Sequence, residues 1–228
     1  MTTIKPDARD RFTAEDFEFI AKTLATSHDG AANLAPLLTD ESARDAALDT
    51  DKLLRALLES PESVRISPQL YFYVLARCCL KNFDRSVADY VANLLTAFID
   101  TQRLKSLPEQ TDINPRYVTE MLTALRAVSS ERAFYIRAQL GNYSLFLSGV
   151  FPDHIRHQAA RRGAPDIRFY EEVGSQNYRL AADHRLAHAN ALDSVYRTIS
   201  DHFSEVRVGV NRLSDQLLCF EPHWNPSR

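Results

Sequence analysis

The sequence predicts an all-α fold, a single globular domain of about eight to ten helices packed around one buried helix. Three observations predict it. Apolar residues recur at spacings of three and four along most of the chain, as one face of a helix requires. The 228 residues include only 6 glycines, fewer than the turns of a long β-sandwich or a Rossmann-type sheet usually need. No segment has the apolar alternation of a convincing strand.

Capping residues mark the helix starts in the first half of the chain. Thr13 begins the first helix, and acidic residues fill its first turn. Thr39 can cap the first of two short helices between residues 31 and 60. Ser67 stands before a proline at the first helical position, which is a strong start signal. Asp84 can cap the next helix. That helix has an apolar stripe on one face, formed by Val87, Tyr90, Val91, Leu94, Leu95 and Phe98.

The helix that begins near Glu131 is apolar on every side, which is typical of a buried helix. Ser129 or Ser130 can cap it. We therefore place residues 131–148 at the centre of the domain. Gly141 interrupts this helix, at a cost of about 1 kcal/mol relative to alanine, which indicates a close approach of another backbone or a bend.

A helical pattern then runs from Asp166 almost to Leu218, with no glycine or proline between Ser175 and Val208. One straight helix of that length would exceed about 45 Å, so we expect a kink near Asp183 or Ser204. The predicted organisation is a flexible arm over residues 1–12, a helical domain over 13–218 and a tail over 219–228.

A candidate site follows from the polar residues in and after the buried helix. His184 and His188 are four residues apart, which would place both imidazoles on one helix face, as a metal site requires. Buried polar groups near Gly141 indicate either an internal hydrogen-bond network or the floor of a pocket. If there is a pocket between the 131–148 and 166–188 helices, we expect these residues to line it: Gly141, Asn142, Tyr143, Tyr178, His184 and His188.

The motifs of well-known metal enzymes are missing from the sequence. A zinc protease needs a glutamate directly after the first histidine, but Arg185 follows His184. A di-iron bundle needs glutamates followed by histidine three residues on, and none is. We therefore assign no metal, no cofactor and no catalytic residue.

The stretch GNYSLFLSGVFPDHI, followed by FYEEVGSQNYRLAA, resembles a group of bacterial proteins of unassigned function. These proteins pair a G-x-Y-x-L-F-x-x-G-x-F-P segment with a Y-x-x-x-G-x-x-x-Y helix. The likeness covers residues 131–188. It implies a bacterial, cytoplasmic, helical protein and carries over no activity. It also implies that its matching residues form one structural unit: Gly141, Tyr143, Gly149, Phe151, Pro152, Tyr170, Gly174 and Tyr178.

Two functions remain open from the sequence. The first is a non-enzymatic interaction or regulatory protein that forms a homodimer through 194–218, where an apolar stripe includes His202 and Gly209. The second is a protein that binds a small molecule or metal in the pocket described above, and an enzyme is one form of this alternative. The net charge of −3 argues against nucleic acid as a partner. We expect a cytoplasmic protein without membrane spans, because a secretory leader and long apolar runs are missing and 3 cysteines do not suggest a disulfide framework.

Overall fold

The computed structural model of the chain describes residues 3–25, 28–59, 66–105 and 115–218. These residues are helical almost throughout and contain no strand, so the all-α prediction is confirmed. The chain packs as two compact units. We call Pro6–Thr96 the N-terminal unit, and Ala97–Arg228 together with Met1–Lys5 the C-terminal unit.

The N-terminal unit begins with a short 3-10 turn, Arg9–Arg11, and α1 then packs against α2 and α4. Its helices are α1 (Ala14–Leu24), α2 (His28–Leu37), α3 (Glu41–Leu48), α4 (Asp51–Glu59), α5 (Pro68–Cys79) and the larger part of α6 (Arg85–Lys105).

Several of the predicted caps are present in this unit. Thr13 and Asp16 form a capping box at the start of α1, and the Ser67 hydroxyl accepts a hydrogen bond from the Leu70 N–H at the start of α5. Asp16 also accepts hydrogen bonds from the backbone and hydroxyl of Ser67, so it joins the starts of the two helices. The prediction for Thr39 is wrong. Asp40, one residue later, caps α3 by accepting from the Ala43 N–H at 2.9 Å, and its charge suits the positive end of the helix.

Helix α6 is buried on every side from residue 87 to residue 96, not only along its predicted stripe. Its polar side is buried because it meets the segment before α1. Arg9 donates hydrogen bonds to Asp89, and Asn93 donates to Asp7 at 2.8 Å. Ala8 is fully buried beside them. These contacts hold the second half of the segment that we expected to be a flexible arm.

The C-terminal unit is built around one central helix, α8, which packs against α10 and α13. Its other helices surround these three. The full set is α7 (Pro115–Ala124), α8 (Ser130–Val150), α9 (Pro152–Arg162), α10 (Ile167–Ala182), α11 (Arg185–Ala189), α12 (Asp193–Asp201) and α13 (Phe203–Leu218). Ser129 caps α8, and residues 140–142 and 144–149 are buried, so the prediction of a buried helix here is confirmed.

The long C-terminal pattern is divided into four helices rather than one kinked helix. The breaks fall at residues 183–184 and at His202, close to the predicted kinks. A third break, at residues 190–192, was not predicted. The described residues therefore contain thirteen α-helices, more than the eight to ten that we expected. No helix in the described ranges has the length and apolar character needed to cross a lipid bilayer. The predicted tail, 219–228, lies outside the described residues.

Candidate functional site

Helices α8 and α10 cross closely because glycines stand where they meet. A Cβ atom on Gly141 would lie 2.8 Å from three atoms of the Tyr178 ring. A Cβ atom on Gly174 would lie 2.4 Å from the Phe203 ring and 3.0 Å from the Cβ of Ser144. These distances are shorter than a carbon contact allows, so only glycine fits at either position. Because glycine has no side chain, the rings of Tyr178 and Phe203 can pack directly against the helix backbones.

The crossing also contains a buried polar pair. The Tyr178 hydroxyl donates a hydrogen bond to the Asn142 Oδ1 atom at 2.7 Å, and both residues are buried. Asn177 on the same helix donates to the Val173 carbonyl and accepts from Arg137. Of the two interpretations that the sequence left open, this arrangement matches an internal hydrogen-bond network.

Tyr143, the residue after Asn142 on α8, packs among aromatic rings. Its half-buried ring packs edge-on against Tyr117 with centroids 5.0 Å apart, and it also contacts Phe98 at 6.4 Å. Phe98 in turn stacks on Phe146 at 4.4 Å. Consecutive helix positions point about 100° apart, so Tyr143 and Asn142 contact different neighbours.

His184 lies just beyond the end of α10, with its backbone extended, and its side chain caps α11. The imidazole Nδ1 atom accepts a hydrogen bond from the Leu186 N–H at 3.1 Å. The Nε2 atom lies 3.0 Å from the Ser130 hydroxyl, and the ring stacks on Phe134 with centroids 5.2 Å apart. His184 therefore meets the first turns of α8, about 16 Å along the helix from Gly141 at 1.5 Å per residue.

His188 is on the surface, with 57% of its side chain exposed and its Nδ1 atom 3.3 Å from an Asp193 carboxylate oxygen. The two histidines do not share a helix face, because α10 ends at Ala182 and His184 precedes α11 in an extended conformation. The prediction that both imidazoles lie on one helix face, as paired metal ligands would, is therefore wrong. Among the residues that the structure describes, no group of three or more metal-ligating side chains comes together.

The structure thus brings together three of the six predicted residues: Gly141, Asn142 and Tyr178. It places Tyr143, His184 and His188 elsewhere in the C-terminal unit. The prediction placed both histidines on one continuous helix, whereas the helix breaks at residues 183–184, near the kink that the sequence predicts.

A pairing that the sequence analysis missed is that of Ser130 with His184, which are 54 residues apart. Serine beside histidine is the arrangement of a hydrolase nucleophile and its general base. In such a pair the histidine Nε2 atom must accept the serine proton. Here Nδ1 accepts from the Leu186 N–H, so the proton of the neutral ring is on Nε2, which donates to the serine. In this tautomer the histidine cannot act as the base for Ser130.

An ionic network in the N-terminal unit was also missed. Arg9 bridges Asp89 and Asp45, and Arg85 bridges Asp45 and Asp49. The side chains come from segments far apart in sequence, so no local spacing signals the network. Its charges alternate in sign, and it holds the segment before α1 against α3 and α6.

No known protein family, curated protein or solved structure matches this chain. The resemblance of residues 131–188 to a group of bacterial proteins therefore stays a prediction.

Proposed function

We propose that this protein is a non-enzymatic helical protein that acts by binding other macromolecules. The observation that carries the proposal is the hydrogen bond that the His184 Nδ1 atom accepts from the Leu186 N–H beside Ser130. The geometry of the Ser130–His184 pair is close to that of a nucleophile and base, but the His184 Nδ1 atom is already used as an acceptor, so His184 serves as the cap of α11. The polar groups at the α8–α10 crossing support the same proposal, because Tyr178 and Asn142 bond to each other rather than to an open cavity.

The alternative, a pocket for a small molecule or metal between α8 and α10, has less support. Its lining residues do not converge, and a single added methyl at Gly141 would already collide with Tyr178. A ligand would have to displace the packed ring before it could reach Asn142.

An activity-based fluorophosphonate probe tests the proposal, because it labels serines that a neighbouring base activates. We expect no labelling of the purified protein, and we expect the same result for Ser130→Ala. Labelling of the wild type that Ser130→Ala abolishes would overturn the proposal. Elemental analysis and a thermal-shift screen with metals and small metabolites test the alternative, for which a shift of several degrees would be required.

Self-association through 194–218 remains part of this proposal, as do a cytoplasmic location and the absence of nucleic-acid binding. The apolar stripe that suggested the dimer is buried within the C-terminal unit, as Val206, Val210 and Leu213 show. His202 lies outside the stripe, half-exposed and 3.0 Å from Glu205. A dimer would therefore use the charged outer face of α12 and α13. Light scattering at pH 8 tests it, and a mass of 25.9 kDa would contradict it.

A further inference from the structure

Three contacts from two helices fix the ring of His184. On α11 it caps the Leu186 N–H, which would otherwise lack a partner at the helix start. On α8 it bonds to Ser130 and stacks on Phe134. Only the neutral ring with its proton on Nε2 satisfies both hydrogen bonds, so the local structure depends on a single protonation state.

We propose that His184 is a pH-sensitive latch that holds the first turn of α11 closed at neutral pH and opens it in acid. Protonation would place an N–H on Nδ1 directly opposite the Leu186 N–H. Two donors would then face each other, and the cap would be lost. Histidine is the side chain that ordinarily changes charge between pH 5 and 8, so mild acid is the condition under which this cap should be tested.

The charged side chains around the latch form ion pairs with one another. In the described part of the chain, three pairs lie around His184: Glu131 of α8 with Arg185 of α11, Asp183 after α10 with Arg197 of α12, and His188 of α11 with Asp193 of α12. Among the described residues, none of these carboxylates forms an ion pair with His184. The His188–Asp193 pair would gain attraction in acid and so opposes the opening.

Opening would change the surface that the protein presents. Helix α11 joins α10 to α12, and Ala187 in its middle is fully buried while Leu186 is half-buried. If the first turn loosens, these apolar residues become accessible next to Phe134. Acid would thereby expose an apolar surface that is closed at neutral pH.

Amide exchange at Leu186, measured by NMR on the full chain at pH 7.5 and pH 5.5, tests the latch. Rates are corrected for the intrinsic effect of pH on exchange. We expect the wild type to lose about five- to tenfold of its protection at pH 5.5, as the loss of an N-cap requires. His184→Asn keeps a capping oxygen that does not titrate, so its protection should change less than twofold. His188→Asn is the matched control, and it should lose at least as much protection as the wild type.

A wild type whose Leu186 protection does not fall, or a His184→Asn variant that loses as much as the wild type, would overturn the proposal. The imidazole nitrogen shifts of the wild type provide a second measurement that does not depend on any variant folding. We expect Nδ1 to be unprotonated at pH 7.5 and to gain its proton over the same pH interval in which the Leu186 amide loses its protection. A proton on Nδ1 at pH 7.5 would also overturn it.

Discussion

At the scale of single residues, Ala191 has an unusual backbone. Its φ angle is +52°, the only positive φ at a non-glycine residue among those described. It closes α11 in a Schellman motif, in which the Leu192 N–H bonds to the Ala187 carbonyl and the Ala191 N–H to the His188 carbonyl. Glycine is the usual residue at this position, because a Cβ atom disfavours the left-handed conformation.

Ala191→Gly should therefore stabilise the protein, by about 0.5–1 kcal/mol in the free energy of unfolding. Urea denaturation of the two proteins measures the change. Ala189→Gly is the matched control, because Ala189 is also exposed but helical, and glycine there should cost about 1 kcal/mol. Equal destabilisation by both substitutions would contradict the strained turn.

Replacing Gly141 by alanine should destabilise the protein, whereas the same replacement at an exposed helical glycine would stabilise it. Alanine in its place would gain about 1 kcal/mol from helix propensity on a free surface. At the α8–α10 crossing the added Cβ would instead be forced against the Tyr178 ring, at 2.8 Å. We expect Gly141→Ala to cost about 1–3 kcal/mol, as overpacking of a core usually does. Thermal unfolding measures the sign, and a rise in melting temperature would show that the helices have room to separate.

At the scale of secondary-structure elements, α13 shows what an amphipathic stripe does in this chain. The sequence alone allowed the stripe to be covered by a second copy or by the protein itself. Its residues Val206, Val210 and Leu213 are at most 1% exposed, and a Cβ on Gly149 of α8 would lie 2.6 Å from Val210. The stripe therefore packs on the central helix of its own unit.

Val206→Glu should for this reason unfold the C-terminal unit rather than separate two subunits. A carboxylate without a partner in this core should cost more than about 3 kcal/mol. Arg212→Glu, on the exposed side of α13, is the control and should change stability by less than about 0.5 kcal/mol. Circular dichroism and light scattering measure the outcome. If the wild type is a dimer in solution and a folded Val206→Glu protein has the mass of a monomer, the dimer interface lies at this stripe after all.

At the scale of the whole molecule, the ionic network of the N-terminal unit should shape the pH dependence of stability. Its carboxylates differ in exposure, with 2% of the Asp89 side chain exposed and 36% of that of Asp49. Burial without enough compensation raises a carboxyl pKa, whereas hydrogen bonds from arginine lower it. Asp89 and Asp49 should therefore change the stability in opposite directions as the pH falls.

Partial burial disfavours the charged form of Asp49, but hydrogen bonds from Arg85 and Arg77 outweigh it and hold its pKa below the ordinary 3.8. A lowered pKa means that Asp49 stabilises the fold above pH 3.8 and that this contribution is lost as the pH falls through its folded pKa. The difference in unfolding free energy between wild type and Asp49→Asn should thus be largest near pH 7 and shrink below about pH 4. A difference that does not change with pH would contradict the bridging role.

Burial raises the pKa of Asp89 from 3.8 to about 6, because the guanidinium of Arg9 offsets only part of the desolvation. The folded state then binds this proton more tightly than the unfolded state. Its favourable contribution is complete below pH 3.8 and is lost as the pH rises through about 6. Relative to Asp89→Asn, the wild type should lose up to about 3 kcal/mol between pH 4 and pH 7. Urea titrations at four pH values would measure this, and a gain over that range would show that Arg9 dominates.

Local signals in the sequence determined the class of fold and several helix starts. Thr13, Ser67 and Ser129 cap their helices because a side-chain oxygen satisfies an N–H one turn away, and such a bond needs no distant partner. The buried position of α8 was predictable for a similar reason, since a helix that is apolar on all sides is stable only when it is covered.

Only the tertiary structure decided how polar and charged residues are used. The break after Ala182 separates His184 from His188 and brings His184 to Ser130, 54 residues away. Arg9 reaches Asp89 across 80 residues in the same way. Such contacts depend on how helices pack, and the sequence predicts a break near Asp183 without showing which side chains that break brings together. The sequence therefore specified the class of fold and several helix starts, whereas packing specified the polar contacts, because partners distant along the chain meet only once it has folded.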